Sequence, residues 1–171
     1  MPGVRITNVD DDTIAWGAGQ DGVGAYLRSV SRIGPSAIGN ATFALSVLQL
    51  EDRAFSLAVP SRGNCWLTSL AATYGKAARD ETTREVAGAQ AVLFQGLSHA
   101  AEAFLRLDNA DAVVFANHLL LSTSLYGDWK GGDLETALDT LRAAFPDRAI
   151  VWRSLNLDDN AALVERMTKL G

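Results

Sequence analysis

Apolar positions change period several times along this chain, and each change marks an element. Between Ala41 and Val59, Phe43, Leu45 and Val47 alternate with polar or small residues, as do Phe55, Leu57 and Val59, with Glu51 and Asp52 between the two runs. That pattern predicts a β-hairpin. Residues 71 to 108 then read as helical throughout, split near Gly88, and the second part places Val92, Leu93, Leu97, Ala100, Ala101, Phe104 and Leu105 on one broad apolar face. From Ala112 to Tyr126 the run AVVFANHLLLSTSLY is apolar and β-branched, with Asn117 and His118 as its turn, and reads as two paired strands.

Beyond Tyr126 the elements shorten. Gly127, Asp128, Gly131 and Gly132 are turn formers, and Asp133 can cap a helix whose apolar positions are Leu134, Ala137, Leu138, Leu141 and Phe145, ended by Pro146. AIVWRSLN at 149 to 156 is a short strand, and Asp158 or Asp159 opens a last helix with Leu163, Met167 and Leu170 along one face. Strand, helix, strand is the order of a parallel crossover, so the chain is expected to be α/β, a mixed sheet flanked by helices. The first 40 residues, rich in Gly, Asp and Ser, read as a loosely packed lead-in with one short helix from Ala25 to Ile33.

Composition narrows the setting. With 171 residues, 48% of them hydrophobic, the chain is long enough for one sizeable core and is expected to be a single domain, 1–171. No apolar run approaches the roughly 20 residues that cross a bilayer, and the start MPGVRITNVDDD lacks the features of a signal peptide, so a cytoplasmic protein with no membrane partner is expected. Cys65 is the only cysteine, which fits a reducing compartment. A net charge of −5 and a pI near 4.9 argue against nucleic-acid binding. The densest cations, Lys76, Arg79 and Arg84, are interleaved with Asp80, Glu81 and Glu85 and read as a solvated helix face. No metal site is expected.

The C-terminal third, residues 112 to 171, resembles the GNAT N-acyltransferase superfamily. Its strand, Gly-containing loop, helix, strand and helix follow the order of that fold, and Asn160 and Gly171 have the spacing of the Asn and Gly in its last helix. LLLSTSLYGDW and FPDRAIVWRSLN are similar to LLST-N-LYP and FP-x-x-A-I-x-x-RSLN segments of a bacterial GNAT-like group. The resemblance implies a GNAT-like sheet whose final two strands lie beyond this sequence, with acyl-CoA as co-substrate and a small-molecule or peptide amine as acceptor. It implies that Leu121, Ser122 and Thr123 line the pantetheine, and that Lys130, Gly131 and Gly132 receive the diphosphate. Asn160 belongs to the implied cofactor contacts, and Asn156 joins them as the end of a strand, where α/β folds place ligand contacts, although Asn is also a favoured turn residue.

Two features depart from that pattern. Asp133 and Glu135 put negative charge where the diphosphate would sit, although carboxylates there also suit a helix start. Met167 occupies the position at which many members carry a proton-donating Tyr, and a thioether donates no proton, so the catalytic residues stay unassigned. The alternative is a non-catalytic GNAT-like module that binds a partner or forms a homodimer through an open sheet edge.

A weaker alternative rests on GNCWLTSL around Cys65, which is similar to the nucleophile helix of papain-like cysteine proteases, with His118 as the base; the bland reading is a buried Cys beside a core Trp. Arg153, among apolar neighbours on a strand, needs a partner or a ligand, with a structural salt bridge the favoured of the two.

Overall fold

The computed structural model describes residues 3–34, 43–60, 68–118 and 126–170. Among them the chain is a mixed α/β fold with a five-stranded sheet in the order β1-β2-β3-β4-β5. The hairpin expected from alternation is β2 (Phe43–Gln49) and β3 (Ala54–Pro60), antiparallel in register from Phe43 opposite Pro60 to Gln49 opposite Ala54. β4 (Val113–Ala116) pairs antiparallel with β3, and β5 (Ala149–Trp152) pairs parallel with β4. The crossover between these two is helix α4 (Leu134–Ala144), and α5 (Leu157–Leu170) follows β5.

The lead-in is more ordered than its composition suggests. β1 (Arg5–Thr7) is an edge strand antiparallel to β2, and α1 starts at Asp21, four residues before the expected helix, and runs to Ile33. Val9, Ile14, Trp16 and Leu27 are buried with Val47 and Ala54 on one face of the sheet. The other face carries the larger core, where Leu48, Phe55, Leu57, Val114 and Ala116 meet Leu134, Leu138, Leu141 and Leu163. Period-two alternation makes this possible, because Val47 and Leu48 point to opposite sides of one strand. The sheet is therefore a middle layer with α1 on one side and α4 and α5 on the other.

Gln49 ties the lead-in to the hairpin turn. Its side chain is buried, its Oε1 accepts from the Ala15 N–H at 2.9 Å, and its Nε2 donates to the carbonyls of Leu50 and Arg53. A buried amide with these partners offsets its own desolvation and fixes the chain entering α1.

Between β3 and β4 the chain makes a helical pair. A π-helical turn at Ala72–Ala77 leads into α2 (Ala78–Glu85), and α3 (Gly88–Leu107) runs back beside both. Glu102 on α3 bridges Arg79 at 2.6 Å and Arg106 at 2.7 Å. Gly75 permits that approach, since a Cβ there would lie 2.6 Å from the Glu102 side chain. The broad apolar face read on α3 is mostly uncovered: Val92, Leu93, Leu97, Ala100 and Phe104 are exposed, Ala101 and Leu105 are half-buried, and Ser98 is the buried residue of the helix. Periodicity reported a stripe without saying what it meets.

Gly24 on α1 lies against the Trp16 ring, and a Cβ there would fall 2.6 to 2.8 Å from three ring atoms. Trp16 is buried with Arg28 over its ring at 6.0 Å, so the ring has little room to move. Gly24→Ala gains about 1 kcal/mol of helix propensity and loses about 1–3 kcal/mol to overpacking. We expect a net destabilisation on the order of 1 kcal/mol, read as a lower urea midpoint at unchanged slope.

Candidate functional site

Ligand sites of open α/β sheets lie outside the carboxyl ends of parallel strands. In this chain those ends are Ala116 of β4 and Trp152 of β5, the last register pair of the parallel ladder. Both strands leave the ladder through left-handed non-glycine residues, Asn117 at φ 58° and Ser154 at φ 58°. Such backbone costs on the order of 1–3 kcal/mol at each position and persists only where its surroundings fix it.

On the β4 side the fixing residue is Ser56 of β3. Its carbonyl accepts the Asn117 N–H at 2.7 Å, and its hydroxyl donates to the His118 carbonyl at 2.8 Å. Asn117 and His118 are both buried. On the β5 side the Tyr126 hydroxyl donates to the Arg153 carbonyl. Burial pushes the Tyr126 phenol up to about 12, with a hydrogen bond to the Asn117 side chain opposing the rise.

His118 and Arg153 join the two strand ends. Arg153 Nη1 lies 2.8 Å from His118 Nε2, and because guanidinium only donates, the imidazole is neutral at Nε2 and carries its proton on Nδ1. The salt bridge expected for Arg153 is therefore corrected: its partner is an imidazole, and no carboxylate among the described residues pairs with it. Among the described residues no ion pair offsets its charge, which lies half-buried beside the end of the parallel pair. His118 spends its Nε2 lone pair on this contact, the atom that a thiol base would use, while Cys65 lies outside the described residues.

Beneath these ends four aromatic rings pack together. Phe55 is 4.7 Å from Trp129 and 5.5 Å from Trp152, centroid to centroid, Trp129 and Trp152 are 5.3 Å apart, and Tyr126 stacks on Trp129 at 6.5 Å. The cluster anchors the loop that leads into α4. The indole N–H groups of Trp129 and Trp152 are buried with no acceptor among the described residues, at a cost of about 1–3 kcal/mol each.

The implied diphosphate loop begins one residue after Trp129. Lys130 is exposed and Gly131 is buried at φ 78°, where a Cβ would come within 3.0 Å of Leu163 and 3.2 Å of Arg166. Glycine is thus required by both conformation and space. Gly132 is open to solvent. Asp133 makes no side-chain capping bond, contrary to expectation, so its carboxylate does not consume the first-turn donors of α4. Neither Lys130 nor Arg166 forms an ion pair among the described residues, and sequence reasoning missed Arg166 because it stands 36 positions from Lys130.

Asn156, expected to contact the cofactor, caps α5: its Oδ1 accepts the Asp159 N–H at 2.8 Å and its Nδ2 donates to the Asp159 carboxylate at 3.1 Å. The helix accordingly starts at Leu157 rather than after Asp158 or Asp159. Asn160 sits at a kink, φ −123° and ψ 21°, where one turn meets the longer part of α5. Leu121, Ser122 and Thr123, with the strand expected around them, lie outside the described residues. Met167 packs against the large core, as a thioether on a helix face commonly does.

A cleft of about 350 Å³ opens beside this region, bounded by Gly17 to Gln20, Asp52, Arg53 and Tyr126 to Asp128. Arg53 bridges Asp52 at 3.0 Å and Asp128 at 3.2 Å, and its hydrogen bond holds the Asp52 carboxyl below the usual range. Two carboxylates to one guanidinium leave the cleft acidic. Sequence gave no sign of it, since its walls come from three separate segments.

No protein-family model matches this chain, and comparisons with curated proteins and with solved structures give no match. Among the described residues no group of His, Cys, Asp and Glu is placed to hold a metal, and no helix is long and apolar enough to cross a membrane.

The raised Tyr126 pKa makes stability fall at alkaline pH. The native phenol keeps its proton to about 12 while the unfolded one loses it near 10, so this contribution is fully present below pH 10 and is lost as pH rises toward 12. Tyr126→Phe should flatten the decline of the urea midpoint between about pH 9.5 and 11.5 relative to the parent chain.

Proposed function

We propose that this chain is a cytoplasmic N-acyltransferase that moves an acyl group from acyl-CoA to an amine. The observation that carries the reading is the parallel β4–β5 pair with a glycine loop and the start of α4 beside it. First-turn N–H groups of α4 that no side chain caps, a glycine at φ 78° and two cations without an ion pair among the described residues, Lys130 and Arg166, suit a diphosphate. Asp133 and Glu135 oppose it, so most of the attraction in this reading comes from backbone donors rather than from net charge. An acyl thioester would lie across the diverging ends of β4 and β5.

The acceptor amine suits the acidic cleft, which shares Tyr126 with those strand ends. Its nitrogen would attack the thioester carbonyl, forming a C–N bond as the C–S bond breaks; the amine loses a proton and the sulfur leaves as thiolate. Tyr126 holds its proton too tightly to supply a thiolate, so it serves here to tie the loop to β5. The reading assigns no general base or acid.

Calorimetric titration with acetyl-CoA and with a longer acyl-CoA tests the proposal. Saturable binding, weakened at least about tenfold by Lys130→Glu or Arg166→Glu, is the expected outcome; a tenfold loss corresponds to about 1.4 kcal/mol. Absence of binding up to about 1 mM, less than roughly 4 kcal/mol of affinity, sinks it and favours the partner-binding module.

A further inference from the structure

We infer that α3 is a homodimerisation helix, pairing antiparallel with α3 of a second copy of this chain. Leu93, Leu97, Ala100, Phe104 and Leu107 recur at intervals of four, three, four and three residues, the spacing of a coiled-coil seam. All five are exposed. The seam lies away from the side of α3 that packs on α2 and the π-helical turn, where Ser98 and Glu102 are held, so the helical pair does not cover it.

The flanks select the occupant. Phe94, Gly96, Ala101 and Ala103 border the seam, and the ionisable residues of α3, His99, Glu102 and Arg106, occupy other sides of the helix. Coiled coils that choose a different partner do so with charges at the flanking positions, and here there are none. A second copy therefore meets no like-charge repulsion along the contact. About a twofold axis between Leu97 and Ala100, antiparallel pairing sets Leu97 opposite the small Ala100 and Leu93 opposite Phe104, and opposes the two helix dipoles.

Area also fits. Leu93, Phe94, Leu97, Phe104 and Leu107 are 48% to 87% exposed. Together they present roughly 600 Å² of surface, about three quarters of the roughly 800 Å² that each partner buries in a standard interface. A lipid surface suits the helix less well, since interfacial helices line their polar face with Lys and Arg. α3 has one such residue, Arg106, and it is paired with Glu102.

Sedimentation equilibrium over about 1–100 μM, a range that exposes mass action, tests the inference. The expected result is a mass approaching twice 18.2 kDa at the upper end. Leu97→Glu and Ala100→Glu should each weaken association at least about 30-fold, as replacement of a hot-spot contact does. Both positions are exposed in the single chain, so far-UV circular dichroism should stay unchanged. A single-chain mass throughout overturns the inference, whether or not the chain then sediments with phosphatidylcholine or anionic vesicles. A dimer that survives both substitutions also overturns it and moves the contact to the open β5 edge.

Discussion

Phe55 holds the ends of the parallel strands and the loop beside them in place. It lies near the start of β3, nearly without exposure, and its ring touches residues from the loop before α4 and from the end of β5. Each aromatic pair is worth about 0.5–1.5 kcal/mol beyond its burial. The larger consequence is positional. Trp129 cannot stack between Phe55, Tyr126 and Trp152 unless the loop crosses the strand ends, and once it does, Gly131 must pass beneath Leu163 and Arg166. The start of α4 and the packing of α5 follow from that passage. The unmet indole donors are the cost of building the anchor from tryptophan, which brings area and rigidity together with a polar atom.

The parts of this arrangement legible in sequence are those set by near neighbours. β2 and β3 were readable because alternation and a charged turn act over a few residues, and α4 because Leu134, Ala137, Leu138 and Leu141 repeat with the helix. β1 was not readable. Three residues at a sheet edge have no pattern of their own, and Arg5–Thr7 is a strand because β2 offers it a ladder. The apolar face of α3 shows a different limit, where the pattern was legible but what covers the face was not. Periodicity registers amphipathicity, and a helix that waits for a partner has the same period as one already covered.

Of the candidate site, the glycine loop was legible as a turn and its contacts were not. Lys130, Gly131 and Gly132 stand out locally, but Arg166, Tyr126 and Ser56 act across the fold. Arg153 illustrates the limit: a buried-strand cation suggests a carboxylate, whereas the partner found is His118, 35 residues away and neutral. A guanidinium held by an imidazole keeps its full charge, while one held by a carboxylate has lost most of its field. The difference decides whether the end of the parallel pair attracts an anion, and it depends on one pairing that no local pattern encodes.

The helical pair and the strand ends are mechanically joined. The Ser69 hydroxyl, at the root of the π-helical turn, donates to the Asp111 carboxylate at 2.6 Å, and Asp111 stands two residues before β4. Its backbone neighbour Ala112 accepts from the Ala149 N–H at 2.8 Å, which sets where β5 begins beside β4. The root of the helical pair and the start of the parallel ladder therefore share one short hydrogen-bonded unit. Glu102, bound to Arg79 and Arg106, stiffens the pair above that root. A load on α3 reaches β4 through backbone and carboxylate bonds rather than through a mobile linker, so an α3 contact would constrain the strand whose far end carries Asn117 and His118. That linkage gives the insertion between β3 and β4 a physical bearing on the site, although its apolar face lies away from the sheet.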